Sequence, residues 1–118
     1  MLERPDAAGL LETARDVLLR ELLPHLPESK KFEARMVANA MAIARRDMAA
    51  GTAPVLARLR ELLGAPHAEP DALLHLLAAE IRSGERDPGT PGHGAAAVAL
   101  VELTRLRCSV SNPRALGR

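Results

Sequence analysis

The chain has 118 residues, 26% of them charged, and a formal net charge of +1. This length suits one domain, and the balanced charge gives no general attraction to nucleic acid or to an anionic membrane surface. The chain contains no Trp, no Tyr and one Phe. The stacking platforms that bind single-stranded nucleic acid are therefore missing, and we expect an aliphatic core and no nucleic-acid partner.

The cysteine content and the hydropathy pattern indicate the cellular compartment of the protein. The single cysteine, Cys108, cannot form an internal disulfide, which favours a reducing cytoplasm. The N-terminus lacks the basic and apolar regions of a signal peptide. No stretch approaches the ~20 apolar residues of a membrane span. We therefore expect a cytoplasmic protein without a membrane partner.

Helical periodicity predicts the first two elements. Helix 1 covers about residues 6–23 and ends at a P-H-L-P elbow, because proline cannot continue a helix. Helix 2 covers about residues 28–50 and contains the uncharged run M-V-A-N-A-M-A-I-A. A helix that is apolar on most of its sides is usually surrounded by others. Helix 2 is therefore predicted to be central.

Three further helices follow, at about residues 54–63, 71–83 and 95–110. The apolar spacing predicts inward positions in helix 3 at Val55, Leu59 and Leu62, and an apolar stripe in helix 4 at Leu73, Leu74, Leu77, Ala78 and Ile81. In helix 5 it puts five residues on one side: Ala97, Leu100, Val101, Thr104 and Cys108. The segment 84–94 has several Gly and Pro residues, which predicts a mobile loop, and residues 111–118 form a short tail. No strand pattern is present. The fold prediction is all-α: one compact bundle of four to five helices, forming a single domain over residues 1–118.

No catalytic or metal-binding pattern is found. The spacing of the four histidines matches no metal motif, and Asp71 with His75 reads more simply as a solvated pair. Cys108 lies on an apolar side late in helix 5, as a structural cysteine would. We predict no enzymatic activity, no cofactor and no metal site.

Arginines on helix 2 allow two interpretations. Arg35, Arg45 and Arg46 could dock an acidic partner or a phosphate. The simpler interpretation is a solvated face on which they pair with Glu33 and Asp47.

Asn39 lies at the centre of the uncharged run, and three roles remain open for it. A buried amide needs partners, since leaving it unpaired costs about 1–3 kcal/mol. Asn39 could bond to backbone groups nearby, pair across a symmetric interface, or contact a ligand in an aliphatic pocket. In the last case Met36, Met41 and Met48 would line a pocket for an acyl chain.

Four stretches together resemble a known family. They are R-P-D-A-A-G-L-L-E-T-A-R-D-V-L-L-R-E-L-L-P, A-R-M-V-A-N-A-M-A-I-A-R-R-D-M-A-A-G, A-A-E-I-R-S-G-E-R-D and S-V-S-N-P-R-A-L. They look like a bacterial family of small all-helical proteins that is described as a domain of unknown function. The resemblance covers nearly the whole chain, and its specificity rests on the combination.

The resemblance implies partner proteins rather than a catalytic activity. Such proteins are often encoded beside a kinase resembling aminoglycoside phosphotransferases and beside an acyl-CoA dehydrogenase. Signature positions would fall at Asn39, Arg82, Asn112, Pro113 and Arg114. We expect a non-enzymatic accessory protein that binds a kinase-like or dehydrogenase-like partner and self-associates through helix 2. The alternative is an acyl-chain-binding bundle.

Overall fold

The computed structural model describes residues 4–117, and they are helical for most of their length. The five α-helices are α1 (Ala7–Val17), α2 (Glu28–Ala49), α3 (Ala53–Leu63), α4 (Pro70–Arg82) and α5 (His93–Ser111). No strand is formed in this part of the chain. The all-α prediction is confirmed, and α2 to α5 begin and end within two residues of the expected bounds. The α-helical part of helix 1 ends at Val17 rather than near Leu23.

Local sequence signals account for most helix ends. Asp6 caps α1 by accepting a hydrogen bond from the Gly9 amide at 2.9 Å. The chain continues as a π-helical turn, Leu18–Leu22, and a 3₁₀ turn, Leu23–His25. Pro24 lies in the 3₁₀ turn and has no amide with which to extend a helix. Gly64 ends α3 with φ +62°, a conformation that glycine adopts without strain.

The chain divides into two compact units. Unit 1 holds the residues up to Ala50 together with those from Ser109, and unit 2 holds Gly51–Cys108. In unit 1, α1 packs against α2, and the buried residues of α2 are Ala34 and Ala38. The expectation of one bundle with α2 at its centre is therefore not confirmed, because α2 buries one narrow side.

Unit 2 contains the larger core. Its centre is formed by Leu59 of α3, Leu73 and Leu77 of α4, and Ala99 of α5. The predicted positions of α3 and α4 are buried or half-buried, except for Ile81, which is exposed. In α5 the predicted shared side is not the buried one: Ala96 and Ala99 are buried, whereas Leu100 and Val101 are exposed.

The Gly/Pro-rich segment between α4 and α5 folds into consecutive hydrogen-bonded turns. Arg86 bridges it, donating from Nη1 to the Gly92 carbonyl oxygen at 3.1 Å and from Nη2 to the Leu62 carbonyl oxygen at 3.3 Å. Nη2 also lies 2.8 Å from a carboxylate oxygen of Glu80. The segment predicted to be a mobile loop is therefore cross-linked to α3 and α4 within unit 2.

Candidate functional site

The most unusual surface of unit 1 is the side of α2 that points away from α1. Phe32, Met36 and Val37 are all large, apolar and exposed there, Phe32 to 71% and Met36 to 57%. The exposed Ala40 and Ala44 lie among them. We call this set of five residues the outer face of α2. These exposed apolar side chains make the outer face the candidate functional surface of unit 1.

Residue sizes explain which side of α2 faces α1. Ala34 and Ala38 are the buried positions, and small side chains let two helix backbones approach closely. The longer side chains fall on the opposite side because four-residue spacing puts Phe32 and Met36 on one stripe. The helix therefore buries alanine and exposes phenylalanine and methionine, the reverse of an ordinary amphipathic helix.

Asn39 is exposed on this helix, between Met36 and Ile43. The expectation that its amide is buried is wrong, because the side of α2 that is covered carries Ala34 and Ala38 instead. The reason for expecting a hydrogen bond to nearby backbone groups, namely burial, therefore does not apply. Pairing across a symmetric interface and contact with a ligand stay predictions.

The three methionines do not form a common pocket. Met41 is half-buried and lines a groove between α1 and α2, while Met48 lines a separate recess beside Ala7 and Ala8. Met36 is exposed on the outer face. The acyl-chain pocket predicted from these residues is therefore not formed, because they project from different sides of one helix.

A groove of about 240 Å³ separates α1 from α2 within unit 1. Three arginines line it, together with two carboxylates and an apolar floor; these residues are Leu11, Glu12, Arg15, Asp16, Met41, Ala42, Arg45 and Arg46. Arg15 was not a sequence-based candidate, because its position facing α2 depends on how the two helices pack.

The arginine pairings differ from the expected ones. Nε of Arg45 lies 3.4 Å from a carboxylate oxygen of Glu12, on α1. Nε of Arg46 donates to the Val110 carbonyl oxygen at 2.7 Å. Glu33 pairs instead with Lys30. The interpretation of a face paired through Glu33 and Asp47 is therefore wrong for Arg45 and Arg46, since both turn toward other segments of unit 1.

The remaining candidate residues are dispersed. Arg82 is exposed at the end of α4 in unit 2. Asn112 and Arg114 are exposed in unit 1, where the Asn112 carbonyl oxygen accepts from the Ala115 amide and begins the turn Pro113–Leu116. For Asn112 the structure thus shows a local backbone role.

Neither a cluster of metal ligands nor a membrane-spanning helix occurs among residues 4–117. Within residues 4–117, no group of three or more His, Cys, Asp or Glu side chains is placed to hold a metal ion. His75 bonds through Nδ1 to the Asp71 backbone oxygen rather than to its carboxylate. None of the described helices combines the length and apolar character that crossing a bilayer requires.

Comparison with known proteins gives a family. Residues 24–115 match the family described as "Domain of unknown function (DUF6285)". The matched part includes α2 with its whole outer face and all of unit 2. No curated protein and no solved structure matches the chain.

Proposed function

The chain belongs to the DUF6285 family, and we propose that it is a non-catalytic accessory protein that binds a partner protein through the outer face of α2. The observation that carries the proposal is the exposure of Phe32 and Met36 on a helix whose buried side is alanine. The family description names no activity, and this surface is the support for the proposal.

The composition of the outer face suits protein recognition. Aromatic residues and methionine are enriched at the centres of protein interfaces, and charged residues are depleted there. Positions 36–44 carry no charge, while Glu33 and Asp47 stand near the two ends of the face. Burying a Phe or Met side chain that is otherwise exposed contributes about 1.5–3 kcal/mol, so a few such residues supply most of the binding energy of a modest interface.

Asn39 would supply specificity in this interaction. An amide inside an apolar contact must find a hydrogen-bond partner, since an unmatched one costs about 1–3 kcal/mol. A correct partner would offer a polar group opposite Asn39, and an incorrect apolar surface would be disfavoured.

The partner in this proposal is a kinase-like or an acyl-CoA dehydrogenase-like protein, taken from the resemblance of the sequence to its family. The chain itself would carry out no reaction. Self-association through the same face is the competing outcome, and the measured stoichiometry distinguishes it.

A binding assay with matched variants tests the proposal. Purified wild-type protein should retain one of the two partner proteins, and Phe32→Glu with Met36→Glu should reduce retention at least tenfold, since two charges would then face an apolar surface. Leu10→Glu on α1 is the control, because Leu10 is 56% exposed, much like Met36. Equal retention by the double variant and the control would refute the proposal.

The alternative, an acyl-chain-binding bundle, receives less support because Met36, Met41 and Met48 do not converge. Fatty acids or acyl-CoA of several chain lengths, added in a thermal-shift assay, would test it. A saturable rise in melting temperature that Met41→Ala removes would favour this alternative.

A further inference from the structure

The α1–α2 groove holds an arginine cluster whose members come from both helices. Arg15 lies on α1, while Arg45 and Arg46 lie near the end of α2. This groove is on the side of α2 that faces α1, and is therefore distinct from the outer face. No part of the proposed partner interaction uses it.

Each guanidinium group in the groove is oriented by a contact through its Nε. Arg15 donates to the Ala38 carbonyl oxygen at 3.2 Å, and Arg46 donates to the Val110 carbonyl oxygen at 2.7 Å. An arginine guanidinium group is planar and carries five N–H donors. A contact through Nε therefore orients the plane and leaves the four N–H donors of Nη1 and Nη2 for a ligand. Groups already held in place lose less entropy when a ligand binds.

The charge of the cluster is only partly offset. The contacts of Arg15 and Arg46 are to neutral carbonyl groups, and no carboxylate of residues 4–117 forms an ion pair with either side chain. Glu12 pairs with Arg45, and Asp16 also lines the groove. Three cations against two carboxylates leave a charge of +1. Arg15 and Arg46 are half-buried, so water screens their charge less than at an open surface.

We propose that this groove binds the phosphate group of a small phosphate monoester. Guanidinium forks match phosphate oxygens with paired, charge-assisted hydrogen bonds. Leu11 and Met41 form the apolar floor and would contact the organic substituent. The volume of about 240 Å³ lies just below the usual range of ligand pockets, about 300–1,000 Å³, which indicates a short substituent.

NMR titration of the whole protein at constant ionic strength provides the test. The probes are inorganic phosphate, butyl phosphate and acetate, observed through the arginine Nε–Hε signals. Both phosphates should give saturable shifts at Arg15, Arg45 and Arg46, with butyl phosphate several-fold tighter than inorganic phosphate because of the apolar floor. Acetate should bind at least several-fold more weakly.

Substituted variants distinguish a specific phosphate site in the groove from general attraction between phosphate and a positively charged protein. Arg45→Gln is the primary variant, since its Nε partner is an exposed side chain and its loss spares the backbone contacts. It should weaken phosphate binding about tenfold, the usual scale of one charge-assisted contact. Arg35→Gln is the control: it removes the same charge from an exposed position of α2 outside the groove, and should leave binding unchanged. Met41→Ala should reduce the advantage of butyl phosphate over inorganic phosphate.

Three results would contradict the phosphate-binding proposal. Shifts that stay linear in phosphate concentration, equal responses to acetate and phosphate, or equal losses in Arg45→Gln and Arg35→Gln would each overturn the proposal. Circular dichroism of each variant establishes that it is folded. Should Arg45→Gln unfold, Arg45→Lys keeps the charge but loses the planar fork, and the proposal then requires weaker phosphate binding by that variant.

Discussion

Arg15 on α1 donates a hydrogen bond from Nε to the carbonyl oxygen of Ala38 on α2, at 3.2 Å. Ala38 is only 2% exposed, so the bond lies within the covered contact between the two helices. It ties α1 to the alanine side of α2 within unit 1. The larger side chains of α2, Phe32 and Met36 among them, are consequently left on the outer face.

The close approach of α1 to Ala38 predicts that this position does not accept a larger residue. Ala38→Leu should destabilise the protein by about 1–3 kcal/mol, because the added atoms would force the helices apart. Ala40→Leu is the matched control, since Ala40 is exposed on the same helix and should change stability by less than about 0.5 kcal/mol. Urea denaturation followed by circular dichroism measures both. Equal losses would show that the contact at Ala38 is not tight.

Arg86 predicts a second stability effect, in unit 2. Its side chain is 12% exposed and contacts Glu80, Leu62 and Gly92. Arg86→Ala should cost about 2–4 kcal/mol, because it leaves the Glu80 carboxylate and two carbonyl groups without this partner.

The exposed Arg82 provides the comparison for Arg86. Arg82→Ala should have little effect on urea denaturation, and hydrogen exchange should locate the loss from Arg86→Ala in α3, α4 and the turns before α5. A loss from Arg86→Ala no larger than that from Arg82→Ala would contradict a bridging role.

Two glycines near the start of α5 should respond oppositely to alanine. A Cβ on Gly92 would lie 2.9 Å from the Glu85 carbonyl oxygen and 3.0 Å from Nη1 of Arg86. Gly92→Ala should therefore cost about 1–3 kcal/mol. A Cβ on Gly94 meets nothing within 4 Å, and Gly94→Ala should be neutral or stabilise α5 by about 0.5 kcal/mol. Thermal melts of the two variants check the difference in sign.

The core of unit 2 predicts a cavity effect. Leu73 is fully buried among α3, α4 and α5 residues, and Leu73→Ala should cost about 2–5 kcal/mol. Leu76 lies three residues later on α4 but is exposed, so Leu76→Ala should cost less than about 1 kcal/mol. Urea denaturation of both variants tests the assignment of inward and outward sides. Similar losses would mean that the sides are assigned wrongly.

Helix existence and helix ends could be predicted from sequence because their causes are local. Asp6 caps the helix that follows it, Pro24 lies in the 3₁₀ turn that ends the first helical stretch, and Gly64 supplies a left-handed residue. In α3 and α4 the leucine spacing also identified the buried side, since leucine there packs against leucine.

The burial of α2 and α5 could not be predicted in the same way. Large apolar residues such as Met36 and Val101 are the usual candidates for burial, but the most buried positions of these two helices are Ala38 and Ala99. Their small side chains give only a weak periodic signal. The contacts of Arg15 and Arg86 span 23 and 24 residues. Such contacts depend on how the helices pack, which a single sequence does not reveal.

The central claim is that the outer face of α2 binds a partner protein. Native mass spectrometry of the protein, gently purified from its own host, tests it most directly. We predict a complex whose second subunit is a kinase-like or dehydrogenase-like protein, present with wild type and with Leu10→Glu, and absent with Phe32→Glu plus Met36→Glu. A bare monomer of the wild type, or a complex that survives the double substitution, would contradict the claim.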